Sequence, residues 1–220
     1  MSTSPSLHAP FDLLITGGTV IDGSKAPRFD ADVGIRDGRI AAIGALAGQA
    51  ATRTLDARGR IVAPGFIDSH THDDQALLTQ PDMAFKVSQG VTTVVTGNCG
   101  ISLAPLRAGG PLPAPLNLLD LGARAPFDTF AGFLQALREQ PAAVNVVPLV
   151  GHTSLRVTAM ADLQRSATDA EIGTMQALLQ EALDAGAVGL STGTFYPPAA
   201  AASTEEIGRA SCRERVSLNV

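Results

Sequence analysis

The sequence predicts an α/β fold in which a small antiparallel sheet precedes a series of parallel βα units. Short apolar runs broken by Gly and Asp fill residues 11–60, whereas apolar strands alternate with segments of helical periodicity from residue 61 onward. This alternation is typical of βα units whose strands pair in parallel. About four such units fit into residues 61–206, which is half the number that close an eight-stranded barrel.

The first part of the chain carries hairpin signals. Asp37-Gly38 separates two β-rich runs at residues 32–35 and 39–43. An Asp-Gly pair in this position is a strong signal for a two-residue hairpin. We therefore expect a small antiparallel sheet over residues 11–60, preceded by a flexible N-terminus over residues 1–10.

The predicted strands of the second part are near-continuous apolar runs, as expected for a sheet covered on both faces. The first of them combines Ile61-Val62 with residues 65–68. The others cover residues 91–96, 145–150 and 187–191. Together these strands predict a parallel sheet.

Three helices are predicted between these strands. Residues 76–88 are predicted to be helical despite Pro81, and Asp128 is predicted to cap a helix that runs to about residue 139. Thr168 is predicted to cap a third helix, with Glu171 completing a capping box.

The most informative motif is Gly65-Phe-Ile-Asp-Ser-His-Thr-His-Asp73. Alternate residues of a strand point to one side, so His70 and His72 can present both imidazoles to one ion. At the carboxyl end of a parallel strand, that side opens onto the face where barrel enzymes place their chemistry. Neutral imidazole suits Zn²⁺ and similar metals. The alternative interpretation is two polar residues at a strand end without a metal.

A cysteine follows the next predicted strand, in Thr96-Gly-Asn-Cys-Gly100. By itself, Cys99 fits a small packed residue, because free cysteines are often buried. It also fits a thiolate ligand at the same end of the sheet as the two histidines.

These segments resemble two nested groups of enzymes. Residues 61–74 resemble the signature of the amidohydrolase superfamily, whose members pair a small β-sandwich, built from both chain ends, with a (β/α)₈ barrel. Residues 90–100, 150–156 and 189–198 are similar to matching segments of the N-acyl-D-amino-acid deacylases. The resemblance implies the N-terminal part of a TIM-like barrel over residues 61–206, preceded by part of a β-sandwich.

The resemblance also implies roles for individual residues. Cys99 would be a zinc ligand shared with His70 and His72, in a site for one or two Zn²⁺ ions. Phe195 would line the pocket for the acyl-amino-acid side chain, with Tyr196 beside it. His152 would lie close to the substrate or behind the metal ligands.

The activity implied by the resemblance is metal-dependent hydrolysis of N-acyl-D-amino acids to a carboxylate and a D-amino acid. In these deacylases, two further metal histidines and a general-base Asp come from later barrel strands. No candidate for those roles follows Phe195, so no catalytic residue is assigned within the chain. We expect the chain to be an N-terminal fragment.

Two alternatives compete with this interpretation. Cyclic amidohydrolases, such as hydantoinase and dihydroorotase relatives, often bridge two metals with a carboxylated lysine after the fourth strand. The chain has only Lys25 and Lys86, and neither lies there. The other alternative is a non-catalytic barrel fragment, which the missing residues would favour.

Composition restricts the partners. The formal charge of −5 gives no broad basic field, so nucleic acid and anionic membranes are not expected partners. Neither a signal peptide nor a run of about 18 apolar residues is present. We expect a cytoplasmic protein that acts on a small molecule.

The last residues, 207–220, show neither apolar periodicity nor likeness to the deacylases. They read like a translated sequencing adapter, so we interpret them as a non-native tail in which Cys212 has no role.

We predict that the 220-residue chain alone is poorly soluble and hydrolyses no N-acyl-amino acid, because a half-barrel exposes unpaired parallel edges. Soluble expression, followed by an assay for amine release, tests both statements. Measurable deacylase turnover by the soluble chain would contradict them.

Overall fold

The computed structural model describes residues 10–107, 111–119, 126–211 and 218–219. The expectations for residues 1–9, for Cys212 and for most of the predicted tail lie outside these ranges. The chain divides into two compact units, residues 1–64 and 65–220. No helix among the described residues is both long and apolar enough to cross a membrane.

The first unit is a five-stranded sheet in the order β3-β2-β1-β4, in which β5 also pairs with β1. The β1–β2 and β2–β3 pairs are antiparallel, whereas β4 and β5 run parallel to β1. The expectation of a purely antiparallel sheet is therefore wrong. Its strands are β1 (Phe11–Val20), β2 (Phe29–Arg36), β3 (Arg39–Gly44), β4 (Ala51–Asp56) and β5 (Ile61–Val62).

The predicted hairpin joins β2 to β3. Arg36 and Arg39 face each other across the turn, and φ is 52° at Asp37 and 69° at Gly38. Positive φ at both central residues is the geometry that matches the twist of the two strands. The Asp-Gly prediction is confirmed.

The second unit contains the predicted parallel sheet, in the order β10-β9-β8-β7-β6. All neighbouring strands run parallel, and helices lie between them, which gives the mixed α/β half-barrel. The strands are β6 (Phe66–Asp68), β7 (Val91–Thr96), β8 (Asn145–Gly151), β9 (Gly189–Ser191) and β10 (Leu218–Asn219).

Seven helices accompany these strands among the described residues. They are α1 (Ala76–Thr79), α2 (Ala84–Val87), α3 (Phe130–Glu139), α4 (His152–Ala159), α5 (Asp169–Ala185), α6 (Pro197–Ala200) and α7 (Thr204–Ser211). The core of the unit forms where α3 and α5 pack against the strands, with Phe133, Met175, Val94, Val150 and Leu190 buried together.

The prediction of one strand over residues 61–68 is wrong. Ile61-Val62 forms β5 of the first sheet, whereas Phe66–Asp68 forms β6 of the second. Pro64 lies between them and has no N–H to donate to a strand ladder. The two apolar runs therefore serve different sheets.

Two helix predictions need correction. Residues 76–88 form α1 and α2 instead of one helix, because Pro81 breaks the run and Met83 has φ 45°. The N-cap of α3 is Thr129, whose side chain accepts a hydrogen bond from the Gly132 N–H, and not Asp128.

The last helix enters the segment that was interpreted as a non-native tail. α7 continues past Glu206 to Ser211, into the segment that lacks apolar periodicity. Arg209 pairs there with Asp169 of α5 at 2.7 Å, and Ala210 is buried. The end of α7 is therefore stabilised by packing and by an ion pair, although its sequence lacks apolar periodicity.

The capping box of α5 is confirmed. The Thr168 side chain accepts a hydrogen bond from the Glu171 N–H, and the Glu171 carboxylate accepts one from the Thr168 N–H at 2.8 Å. These bonds satisfy two of the donors left free at a helix start.

We predict that Thr168→Ala lowers the free energy of unfolding by about 1 kcal/mol. Thr174→Ala, in the middle of the same helix, is the control and should change it by less than about 0.5 kcal/mol. Hydrogen exchange of the α5 amides in increasing urea measures both. Equal losses for the two variants would contradict a capping role for Thr168.

Candidate metal centre

Three side chains of types that can bind a metal meet at the carboxyl ends of β6 and β7. His70 and His72 follow β6, and Cys99 follows β7 in a short 3₁₀ turn, Asn98–Gly100. One potential ligand atom from each residue lies within 4.8 Å of the others. His70 Nε2 is 3.2 Å from Cys99 Sγ. The structure thus brings together the three residues that the sequence predicted as ligands.

The three residues provide two imidazole nitrogens and one sulfur. Both histidines are exposed and Cys99 is half-buried. Partial desolvation lowers the pKa of His72, and the neighbouring His70 ring lowers it further, against an opposing effect of Asp73. A lowered pKa favours neutral imidazole, which is the form that binds a metal.

Lys86 of α2 holds both flanks of the His-x-His motif. Its Nζ lies 2.7 Å from Asp68 Oδ2, 3.0 Å from Asp73 Oδ2 and 3.4 Å from Thr71 Oγ1. The hydrogen bond that the Lys86 ammonium donates to the Asp68 carboxylate lowers the pKa of Asp68 and raises the pKa of Lys86. The Asp68 carboxylate also accepts the His70 N–H at 3.3 Å. These ion pairs fix the backbone on either side of the two imidazoles.

Asp74 lies just beyond this motif and is buried. Burial raises the pKa of its carboxyl to about 7, although backbone hydrogen bonds from Gly97 and from Asp74 itself oppose the shift. The sequence did not single out this residue.

The turn that carries Cys99 has an unusual backbone. φ is 76° at Gly97, 54° at Cys99 and 78° at Gly100. A Cβ on Gly97 would lie 2.1 Å from the Leu149 carbonyl oxygen, and one on Gly193 would lie 2.3 Å from the Cys99 carbonyl oxygen. Close packing of the turn against neighbouring backbone therefore requires glycine at both positions.

A second polar cluster, the His152–Arg156–Glu206 cluster, lies among the helices and is fully buried. The Arg156 guanidinium pairs with the Glu206 carboxylate, and its Nε donates to the Pro198 carbonyl at 2.8 Å. Glu206 Oε2 accepts the Ala167 N–H at 2.7 Å. The cluster ties α4 to α6, to α7 and to the loop before α5.

His152 is the first residue of α4 and is not among the three clustered ligand residues. Its Nδ1 lies 3.4 Å from Thr192 Oγ1, and its Nε2 lies 3.4 Å from Glu206 Oε1 without hydrogen-bond geometry. Burial lowers the pKa of His152 to about 4, against an opposing effect of Glu206. Its predicted place near the substrate stays a prediction.

Phe195 and Tyr196 lie in the segment after β9. The Phe195 side chain is 89% exposed, so the described residues do not enclose it. Tyr196 is half-buried against Ile101, Leu106 and Leu116. The two rings meet edge to face, with centroids 5.6 Å apart. Their predicted contact with the substrate also stays a prediction.

Several residues near these clusters escaped sequence reasoning: Lys86, Asn98, Arg156, Ser191 and Glu206. Arg156 alone left a usable signal, because it follows His152 by four positions and such residues share one face of a helix. Each of the others has a partner at least 18 positions away in the sequence.

We predict that stability falls as the pH drops from about 6.5 toward 4, in part because of His152. Its pKa in the folded chain is about 4 against 6.5 when unperturbed, so the unfolded chain binds this proton first. The stabilisation is therefore complete above about pH 6.5 and is lost below it.

Thermal unfolding of the parent and of His152→Gln between pH 7 and about 5 measures this contribution. Asp74 acts in the opposite direction, because its pKa of about 7 makes the folded chain bind that proton first. Both proteins contain Asp74, so the difference between their changes in stability with pH gives the contribution of His152. Identical slopes against pH would contradict the prediction.

Comparison with known proteins identifies the family. Residues 53–215 match the amidohydrolase family. The chain is 61% identical over 204 residues to a D-aminoacylase of Alcaligenes xylosoxydans xylosoxydans, covering 93% of this chain and 42% of the relative. It is 58% identical over 206 residues to an N-acyl-D-aspartate deacylase from the same organism, covering 94% and 41%.

A similar structure is the N-acyl-D-glutamate deacylase of Bordetella bronchiseptica, solved with zinc and a phosphonate inhibitor that mimics the tetrahedral intermediate of the reaction. It is 50% identical, with a TM-score of 0.87, and the match covers 92% of this chain and 42% of that one. The chain thus spans about two fifths of the length of these relatives. Because most of the chain, residues 53–215, matches the family profile, the chain belongs to the amidohydrolase family.

Proposed function

We propose that this chain belongs to a metal-dependent hydrolase that cleaves the amide bond of N-acyl-D-amino acids, releasing a carboxylate and a D-amino acid. The observation that carries the proposal is the convergence of His70, His72 and Cys99 at the carboxyl ends of two parallel strands. That site lies in a chain 61% identical to a D-aminoacylase. A small-molecule substrate follows from this reaction.

The three side chains fit a metal ion in their chemistry and their separation. Two imidazoles and a thiolate within 4.8 Å of one another form a set that suits Zn²⁺, and we propose zinc, as one or two ions. Zinc bound here would lower the pKa of a coordinated water to about 7 and polarise an amide carbonyl.

The residues of the chain itself would prepare the site for that chemistry. The lowered pKa of His72 favours its neutral imidazole, the form that binds a metal. Lys86 holds Asp68 and Asp73, which prevents the His-x-His segment from turning its imidazoles away. The positive φ of Cys99 directs its thiol toward His70.

Substrate contacts would come from the segment after β9. The exposed Phe195 ring offers an apolar surface for the side chain of the acyl-amino acid, and Tyr196 supports it edge to face. His152, through Thr192, would steady the start of that segment from behind. We assign no general base within this chain and propose that an Asp outside it serves, together with two further metal-binding histidines.

The positions of the two lysines do not support the cyclic amidohydrolase alternative. Lys86 lies on α2 and is paired with two carboxylates, and Lys25 lies in the turn between β1 and β2. Among the described residues, no lysine occupies the end of β9. Cys99 is the residue available to bridge metals.

We also propose that the sheet of the first unit is one layer of a small β-sandwich. Its support is an apolar groove of about 250 Å³ on that sheet. Lining residues from three strands include Ile15, Val33 and Ile43. An apolar sheet face of this kind is typical of one half of a sandwich.

The test uses the protein expressed from the complete gene and loaded with zinc. It should hydrolyse N-acetyl-D-amino acids, with a kcat/KM at least about 100-fold above that for the L-isomers. Cys99→Ala should lower kcat/KM by at least about 100-fold, because a ligand is lost. Asn145→Ala, at the start of β8 and away from the candidate ligands, is the control and should leave kcat/KM unchanged.

Two outcomes would overturn the proposal. The first is hydrolysis of cyclic amides with no activity on linear N-acyl-D-amino acids. The second is full activity of Cys99→Ala after treatment with a chelator.

A further inference from the structure

Two buried polar side chains hold the turn that carries Cys99, and neither is a candidate ligand. Asn98 and Ser191 are 4% and 3% exposed. From their hydrogen bonds we infer that both are positioning residues, which set the distance between the cysteine and the two histidines before a metal binds. This inference rests on the metal site proposed above.

Asn98 links the cysteine turn to the histidine segment. Its Nδ2 donates to the Thr71 carbonyl at 3.0 Å and to the Val95 carbonyl at 2.8 Å. Thr71 is the residue between His70 and His72, so one amide group joins the residue next to Cys99 to the centre of the His-x-His motif. The Thr71 N–H also donates to the Val95 carbonyl at 3.3 Å. These bonds fix the end of β7 against the segment after β6.

Ser191 holds the other side of the same turn. Its Oγ accepts the Gly100 N–H at 2.9 Å and donates to the Gly97 carbonyl. Ser191 is the last residue of β9, so the hydroxyl group bridges the two ends of the turn to a strand 91 positions away. The cysteine turn is therefore held on both sides.

The turn needs such support because its backbone is strained. Cys99 has φ 54°, and a non-glycine residue in this region persists only where the surroundings determine it. Asn98 and Ser191 supply buried hydrogen bonds on either side of Cys99. Without them, the turn could relax and move Sγ away from His70 Nε2, now 3.2 Å from it.

Fixing the ligands in advance raises metal affinity. A site whose ligand atoms already lie within 4.8 Å of one another loses less conformational entropy when the ion binds. Groups that orient metal ligands typically change affinity by about 10–100-fold when they are removed. We expect Asn98 to lie in this range, and Ser191 near its lower end, because only a hydroxyl is lost.

The test measures Co²⁺ binding to the 220-residue chain, fused to a solubility partner that contains no cysteine or histidine. The thiolate-to-cobalt charge-transfer band reports ligation by sulfur, and its titration gives the dissociation constant. The variants are Asn98→Ala, Asn98→Leu, which keeps the side-chain volume, and Ser191→Ala. Circular dichroism establishes that each variant is folded.

Asn145→Ala is the matched control. The Asn145 side chain also donates to a β7 carbonyl, that of Thr92 at 3.0 Å, but at the start of β8 and away from the ligands. We expect the dissociation constant to rise by about 10–100-fold for the Asn98 variants and by about 10-fold for Ser191→Ala. For the control it should rise by less than about 2-fold. The control shows whether loss of any side-chain hydrogen bond to a β7 carbonyl weakens Co²⁺ binding.

The outcomes separate the two proposals. If the parent chain and the control give no charge-transfer band that Cys99→Ser abolishes, the proposed metal site fails, and the inference fails with it. The other case is that the parent and the control do give this band. If a folded Asn98 variant and Ser191→Ala then bind Co²⁺ as tightly as the parent, only the positioning role is overturned. Should both Asn98 variants unfold, Ser191→Ala decides.

Discussion

The parallel pairing of β6, β7, β8 and β9 is the constraint on which the rest of the second unit depends. Because the strands run the same way, their carboxyl ends meet at one edge, and segments distant in sequence become neighbours there. His70 and Cys99 come together in this way. The buried contact of Ser191 with Gly100 has the same origin, so the sheet brings together both the proposed ligands and the residues proposed to position them.

Much of this arrangement could be predicted from local sequence. Short-range signals, each confined to a few residues, predicted the Asp37-Gly38 turn, the capping box at Thr168 and the apolar strands. The signal for two of the three predicted ligands was local too, since His70 and His72 alternate along one segment. Cys99 became persuasive only through the resemblance to the deacylases, because a cysteine after a strand has several explanations.

What could not be predicted depends on partners far apart in the chain. The pairing of Arg156 with Glu206 spans 50 positions, and nothing near either residue specifies the other. The split at Pro64 was missed for a related reason, because two adjacent apolar runs do not reveal which sheet each will join. Pro81, by contrast, does signal the break between α1 and α2, because it has no N–H to donate, although the apolar spacing continues across it.

The ion pairs of Lys86 have a consequence for chemical labelling. The chain contains two lysines, Lys25 and Lys86, and they differ sharply in environment. Lys25 is exposed, whereas the Lys86 ammonium is half-buried between Asp68 and Asp73, with a raised pKa that leaves little free amine to react. Of the two lysines, Lys25 would therefore react with an amine-directed dye or cross-linker, and the segment beside the imidazoles would stay unmodified.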